Sequence, residues 1–383
     1  MSQEEPPDSS VATGDAAPDT AAPDDGAEVP SPSWALEPPV RRRVWPWVVG
    51  VFLSLLIVAS LVASFVQLPY YTIAPGDALN VNQLVTVHGA RSYPPTGAVM
   101  LLFVRERSRI NAWRWLQASL DPDIDLIKQH DFTGGADPAE LDAAAVAAMT
   151  ESQSSAKYLA LRRLGYKVGV QHKVMVIAVI ADRPAAHVLQ PGDTLVSVAG
   201  KRVTEADAVT KLISAHKPGD LISIRYIRNG RQASGSLRIG RDEKGHPVIG
   251  IFLEQPYKFP IDVRINTSDI GGPSAGLAMT LSVLDELTPG NLTGGKRIAV
   301  TGEIDSQGRV FPIGGVGQKA VAARHRGAQL FIVPFSEVAE ARSRSGSLRV
   351  VGVKTLDDAL RALRAAGGDP LPPVKSTASS AAA

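Results

Sequence analysis

Cysteine is absent from all 383 residues. That excludes disulfides, thiolate metal sites and cysteine nucleophiles. Aromatic residues make up only 5% of the chain, net charge is +2, and no basic patch carries interleaved aromatics. Nucleic acid is therefore not an expected partner. Histidine occurs seven times, and no His/Asp/Glu spacing suggests a metal site. Neither a metal nor another cofactor is expected. Basic residues are missing from the first 40 positions, which hold nine acidic ones among Pro, Ala and Ser. Such a stretch buries too little apolar surface to offset its ordering entropy, so residues 1–43 are expected to be a disordered tail. Residues 367–383 are expected to be a second one.

What is present begins with charge and apolarity side by side. Arg41, Arg42 and Arg43 precede Trp45-Pro46-Trp47 and an uncharged run from Val48 to Val66. That run spans about 28 Å as a helix, close to a hydrocarbon core of about 30 Å. A transmembrane helix is expected over 44–68, with Tyr70 and Tyr71 on its far side. The positive-inside rule places the N-terminus in the cytoplasm and all after about residue 68 outside the cytoplasmic membrane. A cleaved signal peptide is the rival reading. It would need an overlong n-region, and no clean small-x-small site closes the run. The chain is 44% hydrophobic, enough for two or three compact domains beyond this helix.

Residues 69–167 are the least legible. Tyr71 to Asp77 reads as a strand and turn, Gly97 to Val104 as a buried strand, and Pro138 to Leu164 as a helix. No chemistry is evident there, and a membrane-proximal connecting region is expected.

The stretch 168–242 reads as strands, turns and one helix. Val174 to Ile180 is a β-branched run. Arg183-Pro184-Ala185-Ala186, Leu189-Gln190-Pro191-Gly192-Asp193 and the strand Thr194–Val198 follow. A helix over 205–215 places Val209, Leu212 and Ile213 on one face, and Asn229-Gly230 is a hairpin turn. This series resembles a bacterial PDZ domain, a mainly-β module that binds extended C-terminal peptides at a strand edge. The resemblance implies a groove between the strand at Val174–Val179 and the helix 205–215, touching Val174, Val176, Val209 and Leu212. The ligand carboxylate is expected near 169–173. A module that only spaces the next domain from the membrane is the plainer alternative.

From 245 to 366 the pattern is α/β. Val248 to Ile251 is expected to open this domain. Ser274 sits in Gly271-Gly272-Pro273-Ser274-Ala275-Gly276, and Pro273 suits a helix start because its missing N–H costs nothing there. The first helical turn offers unpaired N–H groups to developing negative charge, with Gly272, Pro273 and Ala275 around the serine. Lys319 follows Pro312-Ile313-Gly314-Gly315-Val316-Gly317-Gln318 at the start of another helix. His325, six residues on, points elsewhere and is expected at the surface. Gly290 to Arg297 imitates a phosphate-binding loop, yet arginine replaces the required Ser/Thr and a strand follows. It is read as a plain loop.

Four pieces in order resemble the proteolytic domain of the Lon family: Gly-Pro-Ser-Ala-Gly at 272–276, Thr-Gly-Glu at 301–303, Val-x-Pro-Ile-Gly-Gly at 310–315, and Lys319. The resemblance implies that Ser274 is the nucleophile, Lys319 the general base and Thr301 a positioner of the lysine amine. Lon proteases often carry an acidic residue just before Gly-Pro-Ser. Here Gly271 stands there, with Asp269 two places earlier. The whole chain resembles membrane-anchored, PDZ-containing Lon-like serine proteases of the YlbL type. Lon-type domains commonly form rings, which implies a homo-oligomer of unspecified number.

The chemistry sets a condition. Lysine is a base only when neutral, and its free value of about 10.4 must fall by about three units. The expected activity is an ATP-independent serine endopeptidase acting on unfolded or exposed protein segments, with the PDZ domain recruiting or gating substrate. A non-catalytic PDZ scaffold with a relic Lon-like domain is the alternative.

Overall fold

The computed structural model describes residues 43–267 and 270–373. The expected tails fall largely outside the described residues, as do Arg41, Arg42 and Asp269. Two compact units divide between Ile57 and Val58. Helix α1 (Trp45–Phe65) is 21 residues long, with no buried residue and a mean hydropathy of 2.6. By length and composition such a helix is apolar enough to cross a bilayer.

After α1 come β1 (Tyr70–Asn80), β2 (Ala98–Arg107), the short helix α2 (Ala112–Leu120), β3 (Asp125–Lys128) and the long helix α3 (Pro138–Arg163). Asp137 caps α3 through its side chain and Pro138 occupies the first turn, the arrangement that starts a helix with least loss.

The middle of the chain folds on itself. It comprises β4 (Val174–Val179), β5 (Thr194–Val198), α4 (Ala206–Ser214), β6 (Leu221–Arg228), β7 (Arg231–Arg238) and β8 (Ile251–Glu254). The sheet runs β7-β6-β5-β4-β8, with Lys201–Arg202 paired to β5. Asn229 at φ 50° and Gly230 at φ 76° make the β6–β7 turn expected for Asn-Gly. Asp193 of the Pro-Gly-Asp motif is buried and takes the Arg228 guanidinium at 2.6 and 2.8 Å. That pair locks the turn onto the far strand.

The last third supplies α5 (Gly276–Leu287), β9 (Arg297–Val300), α6 (Val316–His325), β10 (Leu330–Pro334), α7 (Val338–Ser345), β11 (Val350–Val353) and α8 (Leu356–Ala365). Its strands do not form a sheet alone. The order is β11-β10-β9-β2-β1-β3. β2 pairs parallel with β9, Ala98 opposite Arg297, and antiparallel with β1 across a bulge between Pro75 and Ala78. Val85–His88 also pairs with Asp262–Ile265. Residues 69–167 are thus no mere connector: three of the six strands come from them. The β4–β8 sheet lies between two stretches of one domain.

Strand alternation explains the layers. Val99, Leu101, Ile298, Val300 and Ile332 face a core shared with α3, α5 and α8. Met100, Leu102, Ala299, Phe331 and Val333 face the other side, against α6 and α7. Helices α5 and α6 therefore cover opposite faces, and both begin at the end of the sheet where β9 finishes.

Candidate active site

Ser274 lies in a 3-10 turn, Pro273–Ala275, that runs directly into α5. Gly272 before it has φ +87°, a conformation that L side chains rarely adopt. The serine carbonyl is held twice, by the Gly302 N–H at 2.9 Å and the Thr301 hydroxyl at 3.3 Å. Both donors follow directly on β9, so the end of a central strand clamps the serine backbone. The Thr301 hydroxyl thus bonds the Ser274 carbonyl and not the lysine amine.

Helix α3 clamps the other side. The Gly272 N–H donates to the Ala145 carbonyl at 2.9 Å, and the Ser152 hydroxyl to the Pro273 carbonyl at 3.1 Å. The Gly272 N–H is thereby committed, and Pro273 has none. The N–H groups that follow in the first turn are those of Ser274 and Ala275.

Lys319 sits on the first turn of α6, whose N-cap Gly315 has φ +67°. The residue is 3% exposed. Burial drives its amine down from 10.5 to about 8, against the opposing pull of Glu337 and then Glu106. Glu337 is itself anchored by the Ile313 N–H at 3.1 Å, and desolvation raises its carboxyl. Ser274 and Lys319 line one cavity of about 930 Å³, with no direct hydrogen bond between their side chains. Its walls come from β1, β2, Asn266, Thr267, Ile270 to Pro273 and Pro312 to Gly315. Ile73, Leu79, Leu101, Phe103 and Phe132 make them largely apolar. Sequence reasoning missed the β1, β2 and Phe132 contributions because their partners lie some two hundred positions away. His325 is exposed, and Gly290 to Lys296 is a loop that leads into β9.

The second site differs from its expected form. Val174, Val176 and Val209 are fully buried in the core of the β4–β8 sheet, and Leu212 packs against that core. Strand β4 is flanked by β5 and β8, so it offers no free edge. Gly169–Val170 pairs with Tyr257–Lys258. The open groove, about 250 Å³, instead runs between α4 (Thr210, Ile213, Ser214) and β8 (Ile251, Phe252, Leu253). Pro247 to Gly250, with Gly250 at φ +82°, closes its end. Those residues complete the β4–β8 sheet and do not open the following domain. Glu140 of α3 also lines the groove.

Residues 261–364 match the Lon protease (S16) C-terminal proteolytic domain, and residues 148–239 match the PDZ domain. The chain carries a PDZ domain and a Lon-type proteolytic domain. Curated relatives agree for the second. Lon protease 3 of Sorangium cellulosum is 32% identical over 143 residues, covering 33% of this chain and 17% of the relative. Lon protease of Chloroflexus aggregans is 35% identical over 165 residues, covering 37% and 20%. The chain thus spans a fifth or less of the length of these relatives. Among solved structures, the PDZ domain of an SdrC-like protein from Listeria monocytogenes is 31% identical, covering 21% of this chain and 87% of that one at TM-score 0.21. The Lon-type match covers α5 to α8 but not β1, β2 or α3, which complete its sheet and support its serine.

Proposed function

We propose that the chain is a membrane-anchored, ATP-independent serine endopeptidase that cleaves unfolded or exposed protein segments outside the cytoplasmic membrane. The observation that carries this reading is a buried amine with a value near 8 in the same cavity as a serine on a helix-starting turn. Near neutral pH a useful fraction of Lys319 is neutral. It takes the Ser274 proton as the hydroxyl oxygen attacks the scissile carbonyl. Backbone N–H groups at Ser274 and Ala275 stabilise the oxyanion, and Lys319 returns the proton to the leaving amine. Water then hydrolyses the acyl-enzyme, with Lys319 again the base.

Helix α1 is a membrane anchor, with its N-terminus in the cytoplasm. Arg43 at that end supports this orientation, and Trp45 and Trp47 suit an interfacial position. The PDZ groove between α4 and β8 takes an extended peptide and recruits or gates substrate. The largely apolar cavity favours substrates whose side chains are normally buried. The Lon-type resemblance supports assembly into a homo-oligomer.

Turnover of an unstructured polypeptide by the reconstituted full chain tests the reading. Cleavage without ATP is expected, and it is lost in both Ser274→Ala and Lys319→Ala. Full activity in either variant excludes the mechanism. Peptide binding at the groove with no turnover under any condition would favour the scaffold alternative.

A further inference from the structure

Helix α2 leaves an apolar stripe uncovered. At 100° per residue Trp113, Leu116 and Leu120 fall within about 60° of one another. They are 48%, 44% and 77% exposed. Away from the stripe, Ala118 is buried and Trp115 meets Tyr70 edge-on.

Where the stripe lies decides what covers it. The Trp113 indole N–H donates to the Ser60 carbonyl at 3.2 Å. The side-chain amide of Asn111, the N-cap of α2, reaches the Ser64 carbonyl at 3.5 Å. Gln67–Leu68 pairs with Ile110–Asn111. Ser60 lies about 7.5 Å along the axis before the end of α1. Helix α2 is thus fastened beside the last turns of the apolar helix. Arg107, Arg109 and Arg114 surround a hollow at the same end, with Ser64 and Gln67. A tryptophan-bearing apolar stripe next to guanidinium groups suits an anionic lipid surface.

We propose that α2 is an interfacial helix. Trp113, Leu116 and Leu120 enter the acyl boundary of the leaflet at the C-terminal end of α1, and the three arginines meet headgroup phosphates. Glu106 lines both the basic hollow and the catalytic cavity. Seating α2 therefore holds the cavity close to the lipid surface, where membrane-proximal segments of other proteins are the substrates within reach. This inference rests on α1 spanning the membrane.

Because the chain has no cysteine, single spin labels are clean probes. Leu116→Cys, Leu120→Cys, Leu56→Cys inside α1 and Lys211→Cys on exposed α4 are labelled separately in the full chain. Each is placed in vesicles of phosphatidylcholine and phosphatidylglycerol. Collision rates with oxygen and with a water-soluble nickel chelate are then compared. Labels at 116, 120 and 56 are expected to favour oxygen, and the label at 211 the chelate. Chelate-dominated signals at 116 and 120, with oxygen dominant at 56, overturn the interfacial helix and leave the anchor intact. Chelate dominance at 56 overturns both. Spin–spin broadening at 116 and 120 means that a second copy covers the stripe, and it also overturns the proposal.

Discussion

The Gly272 backbone N–H donates to the Ala145 carbonyl at 2.9 Å, tying the serine turn to helix α3. Further along α3, the Ser152 hydroxyl holds the Pro273 carbonyl. The N-terminal half of α3 packs on the PDZ sheet through Ala143 and Ala147 against Ile177, Ala178 and Ile180. One helix therefore touches both domains. Ser152→Ala removes one bond to the turn and leaves the Pro273 carbonyl without that partner. Stability is expected to fall by about 1 kcal/mol. The rate constant kcat is expected to fall roughly tenfold with little change in KM, since serine placement and not substrate binding is disturbed. Steady-state kinetics on a fluorogenic peptide check this, and an unchanged kcat would count against the coupling.

Under the proposed dyad, activity is expected to rise with pH through about 8, because a lysine accepts a proton only when neutral. Glu337 and Glu106 pull the amine upward. Glu337→Gln keeps an acceptor for the Ile313 N–H but removes the charge. The rising limb of log kcat/KM should then move to lower pH. A limb that stays in place or moves upward contradicts the assignment of Lys319 as base.

The same amine costs stability. Its value in the folded protein is about 8 against 10.5 unperturbed, so the unfolded chain binds more protons between those values. Stability therefore rises with pH from about 8 to about 10.5, and the full cost is present below 8. It is on the order of 3 kcal/mol. Lys319→Met should be inactive yet melt higher at pH 7, with the gain shrinking toward pH 10. Thermal scans at both pH values check this. A variant less stable at pH 7 would mean that Lys319 is better solvated than its burial indicates.

Residues with local signatures were the legible part of this protein. Ser274 and Lys319 stand in short glycine-rich motifs, and α3 shows itself through Pro138 and its periodicity. β1 shows as a strand and turn and β2 as an apolar run, but nothing within them names their partners. Ala98 pairs with Arg297, nearly two hundred residues away. Residues 69–167 therefore read as a connector. The groove was misplaced for a related reason. Val174 to Val179 reads as an apolar strand, and the sequence does not say that β8 arrives later to cover its edge.

That relocation is testable. Thr210→Arg places a bulky charge in the groove between α4 and β8 without touching the PDZ core. Affinity for a C-terminal peptide ligand found by library screening should weaken by about tenfold or more, equivalent to at least about 1.4 kcal/mol. The unfolding midpoint should stay put. Fluorescence anisotropy reads the first and denaturant titration the second. Unaltered affinity would return the groove to the β4 side.

The most direct measurement is covalent labelling of the full chain by a serine-reactive phosphonate, mapped by mass spectrometry across a pH series. The account predicts one labelled serine, Ser274, at a rate that rises through about pH 8 and collapses in Lys319→Met. Labelling of Ser274 at an undiminished rate in Lys319→Met, or none in the wild-type protein at any pH, would contradict it.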